Sequence, residues 1–511
     1  MNTNTIIHKG LILSHRQCAK RAWLEHKGEV QPTYSFSDAA VLEQGQQVHA
    51  MGRTLYLGAE RVNGGLGFDV AADITRGLID GGTKTIMDAS FIAFGLGVRV
   101  DVLEQGASGL KITEIKTGST VKDLYLDDCA IQCAAIQDSG FKVESVELML
   151  ADTSVERPVG GTGAEVLAKT DVSEIVFYRA GEVSKWFDAA FETVAGDCPD
   201  VAPGKQCSEP NPCPFAGHCG KPVVNEDVDQ IAFLPSKSVK HVKKAIAAGA
   251  TTISQLPVEI LEHPRNILMH AAITRNGPVI VDAFARELAA MPYPRSYLDF
   301  EAASFAIPRF DGMRAFQAIP FQWSCHQIES AGADVTHGEF LDCTGDDPRE
   351  QFARTLIAML GTSGPVFVYS AYEKSRIKEL AVAYPDMKDA LEAIVERLVD
   401  LLSMARRGFY HPLMRGSWSL KKIVPVLPKT DGDTNYDDLG DVAEGLAAQA
   451  AYMEQIDKTI IGVDKAARRA EMLKYCATDT EGLVRFVKYI EGALTSASNA
   501  QGTNQNLALA A

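Results

Sequence analysis

The chain has 511 residues, 46% hydrophobic and 23% charged, enough apolar material for two or three separate cores and too much for a disordered protein. Its net charge of −16 argues against adhesion to nucleic acid over the whole surface, because phosphate contacts need clustered Lys and Arg, but it leaves room for carboxylate-rich sites that gather divalent metal ions. No window reaches the roughly 18 uninterrupted apolar residues of a membrane-spanning helix, so the expectation is a cytoplasmic protein with its ten cysteines in a reducing compartment.

Met1–Lys27 holds a short apolar stretch around Ile6–Leu13, broken by His8 and Lys9 and lacking a small-residue cleavage site, so no signal peptide is expected. Leu42–His49 has helical composition and could carry His49, and with it Glu43, toward a metal. Ala89–Ala107 shows two apolar runs broken by Gly, and Leu110–Ser119 reads as a further strand, together a β-meander. Side chains alternate along a strand, so Glu114 and Lys116 share one face, which Asp101 on the neighbouring strand can reach. Two carboxylates can hold Mg²⁺ or Mn²⁺ against a phosphate while an ammonium orients water or stabilises developing charge. Asp127–Gln137 reads as a helix bringing Gln132 over the sheet edge.

The order Gly45-x-x-x-His49, Gly97-x-x-x-Asp101, Glu114-x-Lys116 and then Gln132 resembles the PD-(D/E)XK nucleases of the RecB-like group over roughly residues 10 to 220. The resemblance implies a central mixed sheet, metal ligands His49, Asp101 and Glu114, catalytic Lys116 and substrate-binding Gln132. A tyrosine usually follows that glutamine by four residues, and here Ile136 stands instead. Cys207, Cys213 and Cys219 are spaced too widely for zinc-ribbon pairs but suit an irregular loop wrapped around a cluster. RecB-like nucleases of the iron–sulfur type pair three such cysteines with one near the N-terminus, which implies Cys18 as the fourth ligand of a [4Fe-4S] cluster. A structural zinc with the same four ligands is the alternative. Cys129, Cys133, Cys198, Cys325, Cys343 and Cys476 are expected to be core thiols.

Residues 226–292 read as a mainly helical connector, with a helix within Ser236–Ala250 and a short strand at Pro278–Val281. The basic runs Lys237–Lys244, Arg406–Arg407, Lys421–Lys422 and Arg468–Arg469 read singly as solvated helix faces. A second α/β unit is expected over 293–495. In Tyr297–Glu301 an apolar strand carries Asp299 and Glu301 on one face; Val366–Ala381 is a strand running into a helix with Glu373 at the junction; and in Leu473–Ile490, a helix, Tyr475 and Asp479 lie four residues apart on one face.

These acidic elements, ordered strand, strand-to-helix and helix, resemble the DnaQ-like exonucleases of the RNase H fold, in their tyrosine subtype. By that resemblance Asp299, Glu301, Glu373 and Asp479 bind two metal ions, Tyr475 orients the attacking water, and the reaction is 3′→5′ exonucleolysis. The wider superfamily has Asp where this chain has Glu373, and Asp400 is a lower-ranked substitute; Lys421 and Lys422 could meet the nucleic-acid backbone. The stretch from Pro292 to His326 also resembles a bacterial family catalogued as a domain of unknown function, whose members join an iron–sulfur RecB-like nuclease to an RNase H-like domain.

The fold class expected is therefore α/β: a PD-(D/E)XK domain over 1–225, a helical connector over 226–292, an RNase H-like domain over 293–495 and a disordered tail over 496–511. The expected function is a metal-dependent nuclease with two sites, acting on DNA before RNA. No GxxxxGK[ST] fingerprint occurs, so an unwinding motor would be a separate helicase. One active site beside a binding domain, or a non-catalytic nucleic-acid scaffold, are the alternatives.

Overall fold

A computed structural model describes residues 7–220, 227–429, 436, 439–440, 442, 444–460 and 462–499. The chain is mixed α/β and divides into two compact units, residues 1–224 with 304–317 and residues 225–303 with 318–511. Residues 225–292 thus belong to the second unit instead of standing as a separate connector, and residues 304–317 fold with the first.

The first unit is built on a sheet in the order β2 (Glu60–Arg61), β3 (Thr85–Ala93), β4 (Leu96–Gln105), β5 (Leu110–Ile115), β6 (Val143–Ala151) and β7 (Leu167–Asp171), with β1 (Ile7–His8) parallel to β4. The expected meander is present: β3, β4 and β5 run antiparallel, pairing Val100 with Ala89 and Val102 with Thr113. Helix α5 (Asp123–Asp138) then carries the chain to β6, parallel to β5, as a parallel pair requires. Almost every residue from Leu126 to Ile136 is buried, so α5 forms part of the core with Val98, Val100, Ile112, Val146 and Leu148. That accounts for Ile136: it is fully buried against this sheet.

Helix α3 (Phe36–Arg53) starts at a capping box in which Ser35 and Asp38 satisfy each other's backbone N–H groups, and it delivers His49. Of the two glycines noted in the sequence, only Gly97 is sterically required: a Cβ there would lie 2.5 Å from the Phe68 ring, whereas at Gly45 the nearest atom is 3.5 Å away. Residues 304–317 fit the same unit through Arg157, which donates to the Pro308 and Arg309 carbonyls at 3.0 and 2.7 Å, and through Ala306, buried beside Val48, Val102 and Ile115.

The second unit holds a sheet in the order β11 (Thr336–Leu341), β10 (Ala318–Ile328), β9 (Arg295–Ser304), β12 (Val366–Val368), β13 (Leu398–Asp400). β12 is parallel to both β9 and β13, and β10 is antiparallel to β11. A small ribbon pairs β8 (Val279–Ile280) with β14 (Phe409–Tyr410). The helices Pro264–Arg275 and Asp282–Ala289 share one core with Phe409, Trp418 and Phe486, and Gly408 is needed because a Cβ there would stand 2.2 Å from Phe284. The buried Arg295 ties the start of β9 down, donating to Glu491 at 2.7 Å and to the Leu288 and Met291 carbonyls. The helix Lys465–Asn499 runs beyond the expected domain end at 495; residues 500–511 of the expected disordered tail lie outside the described residues. Among the described residues no helix is long and apolar enough to cross a membrane.

Candidate active sites

In the first unit, the expected group assembles at the junction of β4, β5, α3 and α5. His49 Nδ1 lies 3.1 Å from Asp101 Oδ1, and Asp101 Oδ2 accepts the Ile115 N–H at 2.9 Å. Burial acts to raise the Asp101 pKa, but the His49 hydrogen bond and charge, with the Ile115 N–H, outweigh it and hold the carboxyl below its ordinary value. Lys116 Nζ donates to Glu114 Oε1 at 2.7 Å. Three residues that sequence reasoning missed complete the cluster. Asp128, on α5, takes Lys116 Nζ at 2.5 Å and Lys9 Nζ at 2.7 Å; Lys9 also stands 3.5 Å from Glu114; and Arg53 lies 3.7 Å from Asp101 while pairing with Asp88 at 2.6 Å. The available signal was helical spacing, since Asp128 precedes Gln132 by four residues and shares its face.

Burial pushes Glu114 up, with Asp101 adding to the effect and the two lysines opposing it. Among the described residues its Oε2 is buried without a hydrogen-bond partner. Gln132 differs from expectation. It does not reach over an edge but is fully buried, donating to Asp128 Oδ1 at 3.3 Å. Glu43 accepts from Gln47 on its own helix, and no contact takes it toward Asp101.

The four expected cluster thiols come from distant parts of the chain. Cys18 sits in extended backbone at the break between α1 (Gly10–Gln17) and α2 (Ala19–Lys27). Its neighbour Gln17 donates to the Gln206 and Asn211 carbonyls at 2.8 and 2.7 Å, clamping the loop that bears Cys207 and Cys213. Cys213 and Cys219 feel the charges of Cys18 and Cys207 and of Arg21 or Lys20, although burial is the largest influence and raises both thiols. The remaining cysteines divide. Cys129, Cys133 and Cys325 are buried, Cys343 is half-buried, and Cys198 is exposed, so it is no core thiol.

The second site lies at the centre of the five-stranded sheet. Asp299 and Glu301 project from β9, Glu373 from the first turn of the helix Tyr372–Ala383 directly after β12, and Asp479 from the helix Lys465–Asn499. Asp299, Glu373 and Asp479 line a cleft of about 630 Å³. The carboxyls of Asp299 and Glu301 are pushed well above the usual range, first by burial and then by the neighbouring acids. Burial also lifts Glu373 to about 7 and Asp479 to about 6. Glu373 is 3% exposed and its Oε2 has no hydrogen-bond partner. Asp400, the substitute candidate, instead caps the helix Leu401–Gly408 by accepting the Ser403 N–H at 3.1 Å.

Tyr475 is buried among the acids, with Lys421 Nζ 5.1 Å from its ring centre; burial and the charge of Glu301 raise its pKa, so the phenol stays protonated and can donate. Lys421 lines the cleft, but Lys422 is exposed and does not. Two residues escaped the sequence reading. The Tyr436 hydroxyl donates to Asp479, and Cys476 Sγ lies 3.6 Å from Asp299 Oδ2, within a group in which one ligand atom each of Asp299, Glu301 and Cys476 fall inside 4.8 Å. Adjacency to Tyr475 was the only sequence signal for Cys476.

Residues 296–419 match the family described as "Domain of unknown function (DUF2779)". The matched stretch holds Asp299, Glu301 and Glu373 and stops before Tyr475 and Asp479. The chain is also 25% identical over 264 residues to "Uncharacterized protein UU173" of Ureaplasma parvum serovar 3 (strain ATCC 700970), a match covering 47% of this chain and 38% of that protein's length.

Proposed function

We propose that the protein is a divalent-metal-dependent nuclease, with its principal active site in the second unit. The observation that carries this reading is the gathering of Asp299, Glu301, Glu373 and Asp479, all four raised by burial and Asp299 and Glu301 raised further by the other acids, at an open cleft that Asp299, Glu373 and Asp479 line, with one Glu373 oxygen left unpaired. A fold gathers like charges at such a cost where a cation offsets them. Two Mg²⁺ or Mn²⁺ ions bound there would stabilise the entering and leaving oxygens of a phosphodiester. In this reading the protonated Tyr475 hydroxyl would orient the attacking water, while Tyr436 donates to Asp479 and holds its carboxylate. The strand order, third-second-first-fourth-fifth in chain order, supports an RNase H-like fold, and 3′→5′ exonucleolysis is proposed on the acids that this fold carries.

The first unit supports a second, PD-(D/E)XK site. What supports this reading is the meander, crossover helix and parallel fourth strand, with Asp101, Glu114 and Lys116 meeting and Glu114 Oε2 unpaired. A one-site reading also has an observation in its favour: Lys116 and Lys9 both lie against Asp128 and Glu114, so here the acids already have cationic partners. The Gln17 clamp and the convergence of Cys18, Cys207, Cys213 and Cys219 support a [4Fe-4S] cluster, or zinc on the same thiolates, that staples the ends of the first unit together. DNA ends are the proposed substrate, in repair, recombination or defence, with RNA as the second candidate.

The test is a time course on end-labelled single- and double-stranded DNA and RNA with Mn²⁺, after anaerobic purification. Asp299→Ala should lower exonucleolytic release by at least about 10³-fold, the scale of removing a group that acts in the transition state. An Asp299→Ala protein that cuts like wild type would remove this reading.

A further inference from the structure

The cleft lined by Asp299, Glu373 and Asp479 is also lined by Arg265, Arg406 and Lys421, together with Tyr369 and Tyr372. Arg265 comes from the first turn of the helix Pro264–Arg275, in the stretch that reads as a connector, and Arg406 from the last turn of the helix Leu401–Gly408. Among the described residues, no carboxylate pairs with either guanidinium. The contrast with the next residue is informative: Arg407 is held by Glu287 at 2.8 Å, whereas Arg406 is exposed and turned to the cleft. Charge explains why the cations are needed. Two divalent ions would neutralise the four carboxylates, leaving the two arginines as positive side chains for phosphate in a protein of net charge −16 that otherwise repels it. Tyr372, 40% exposed at the same cleft, offers a ring face to a base. A cleft of about 630 Å³ takes one or two nucleotides and is too small for a duplex.

We propose that Arg265 and Arg406 are substrate-binding residues that, with Lys421, hold the phosphates of a single-stranded nucleic-acid terminus next to the four carboxylates. The segment 225–292 is thereby part of the substrate-reading surface. This rests on reading the cleft as the nuclease site, and it specifies the substrate as a single strand, DNA or RNA, held chiefly through its backbone.

The experiment measures binding separately from cutting. Anisotropy of 5′-labelled oligo(dT) and oligo(U), and of a blunt duplex, is followed against the full-length protein in Ca²⁺ over a range of salt concentrations, for wild type, Arg265→Gln, Arg406→Ala and Arg407→Ala. Wild type should prefer single strands. Arg265→Gln and Arg406→Ala should each weaken binding about tenfold at low salt and lower the slope of log K against log salt by about 0.7, the signature of one lost phosphate contact on a single strand. Arg407→Ala, already paired to Glu287, should keep the wild-type slope. Arg406 is exposed, so its truncation leaves the fold intact. Slopes for the Arg265 and Arg406 variants equal to that of Arg407→Ala, or wild-type preference for the duplex, would overturn the proposal. Comparison of oligo(dT) with oligo(U) decides between DNA and RNA. Single-strand binding with the expected slopes but no nucleotide release in Mn²⁺ would uphold the arginine assignment and remove the hydrolytic reading instead.

Discussion

At Glu373 a single unpaired oxygen and a raised pKa report the same strain. Burial, then the charges of Asp400 and Asp479, lift its carboxyl from an ordinary 4.5 to about 7. A pKa raised by folding stabilises the protonated form: its contribution is complete below about pH 4.5 and is lost as pH rises through about 7. Metal-free protein should therefore lose stability between those values, and Glu373→Gln, which is neutral throughout, should raise the melting temperature in EDTA near neutral and alkaline pH by a few degrees. With Mn²⁺ the order reverses, because the ion needs the ionised carboxylate. Melting curves in EDTA and in Mn²⁺ check both; a Gln variant that melts below wild type in EDTA at alkaline pH contradicts the account.

Asp128 presents the opposite case. Burial opposes its charge, yet Lys116 and Lys9 hold its carboxyl far below the usual range. Removing one partner from a buried charge cluster leaves the others uncompensated, at about 3–5 kcal/mol. Asp128→Asn should lower the stability of the first unit on that scale, measured by urea unfolding, while Asp127→Asn, whose carboxylate pairs with Arg16 and Arg179 nearer the surface, should cost less. Equal costs would mean that the lysine pair is not what Asp128 supports.

Elements carry the next level of argument. The break between α1 and α2 places Cys18 in extended backbone, and Gln17 draws the 206–211 loop to it. The Thr33 N–H, which donates to the Pro214 carbonyl at 2.9 Å, holds the same loop, and Leu11, Ala22 and Val194 form a small apolar cluster. Cys18→Ser should therefore abolish bound iron, or zinc, and lower the melting temperature, with metal analysis and unfolding moving together. Cys198→Ser, at an exposed thiol, should change neither. β3 is buried along nearly its whole length although it carries Asp88 and Ser90, because Arg53 and Arg61 pair with Asp88 and satisfy it there. Helix α5 is buried on all sides and has no amphipathic stripe, so periodicity could not say which way Gln132 faces.

On the scale of the whole chain, the two candidate sites sit in different compact units, each with its own core. Substitutions with no shared partners add. If both sites cut, Lys116→Ala and Asp299→Ala should each remove a different set of products, and the double variant should lose the sum. If Asp299→Ala alone silences the protein, the first unit binds and does not cut. Gel analysis of products from the three variants distinguishes these outcomes.

The sequence by itself determined the mixed α/β class, the meander and the strand-to-helix junction, because these rest on local periodicity and on apolar runs of the right length. Spacing on strands also set Glu114 beside Lys116, within reach of Asp101, and Asp299 beside Glu301, whereas Glu373 and Asp479 were grouped with the last two only by the resemblance. Only the tertiary structure decided that Lys9, Arg53 and Asp128 join the first group, that Cys476 and Tyr436 join the second, that Gln132 turns inward, and that Arg265 reaches the cleft from the apparent connector. Each of those depends on contacts between residues tens to hundreds of positions apart, where packing, and no local pattern, sets the distance.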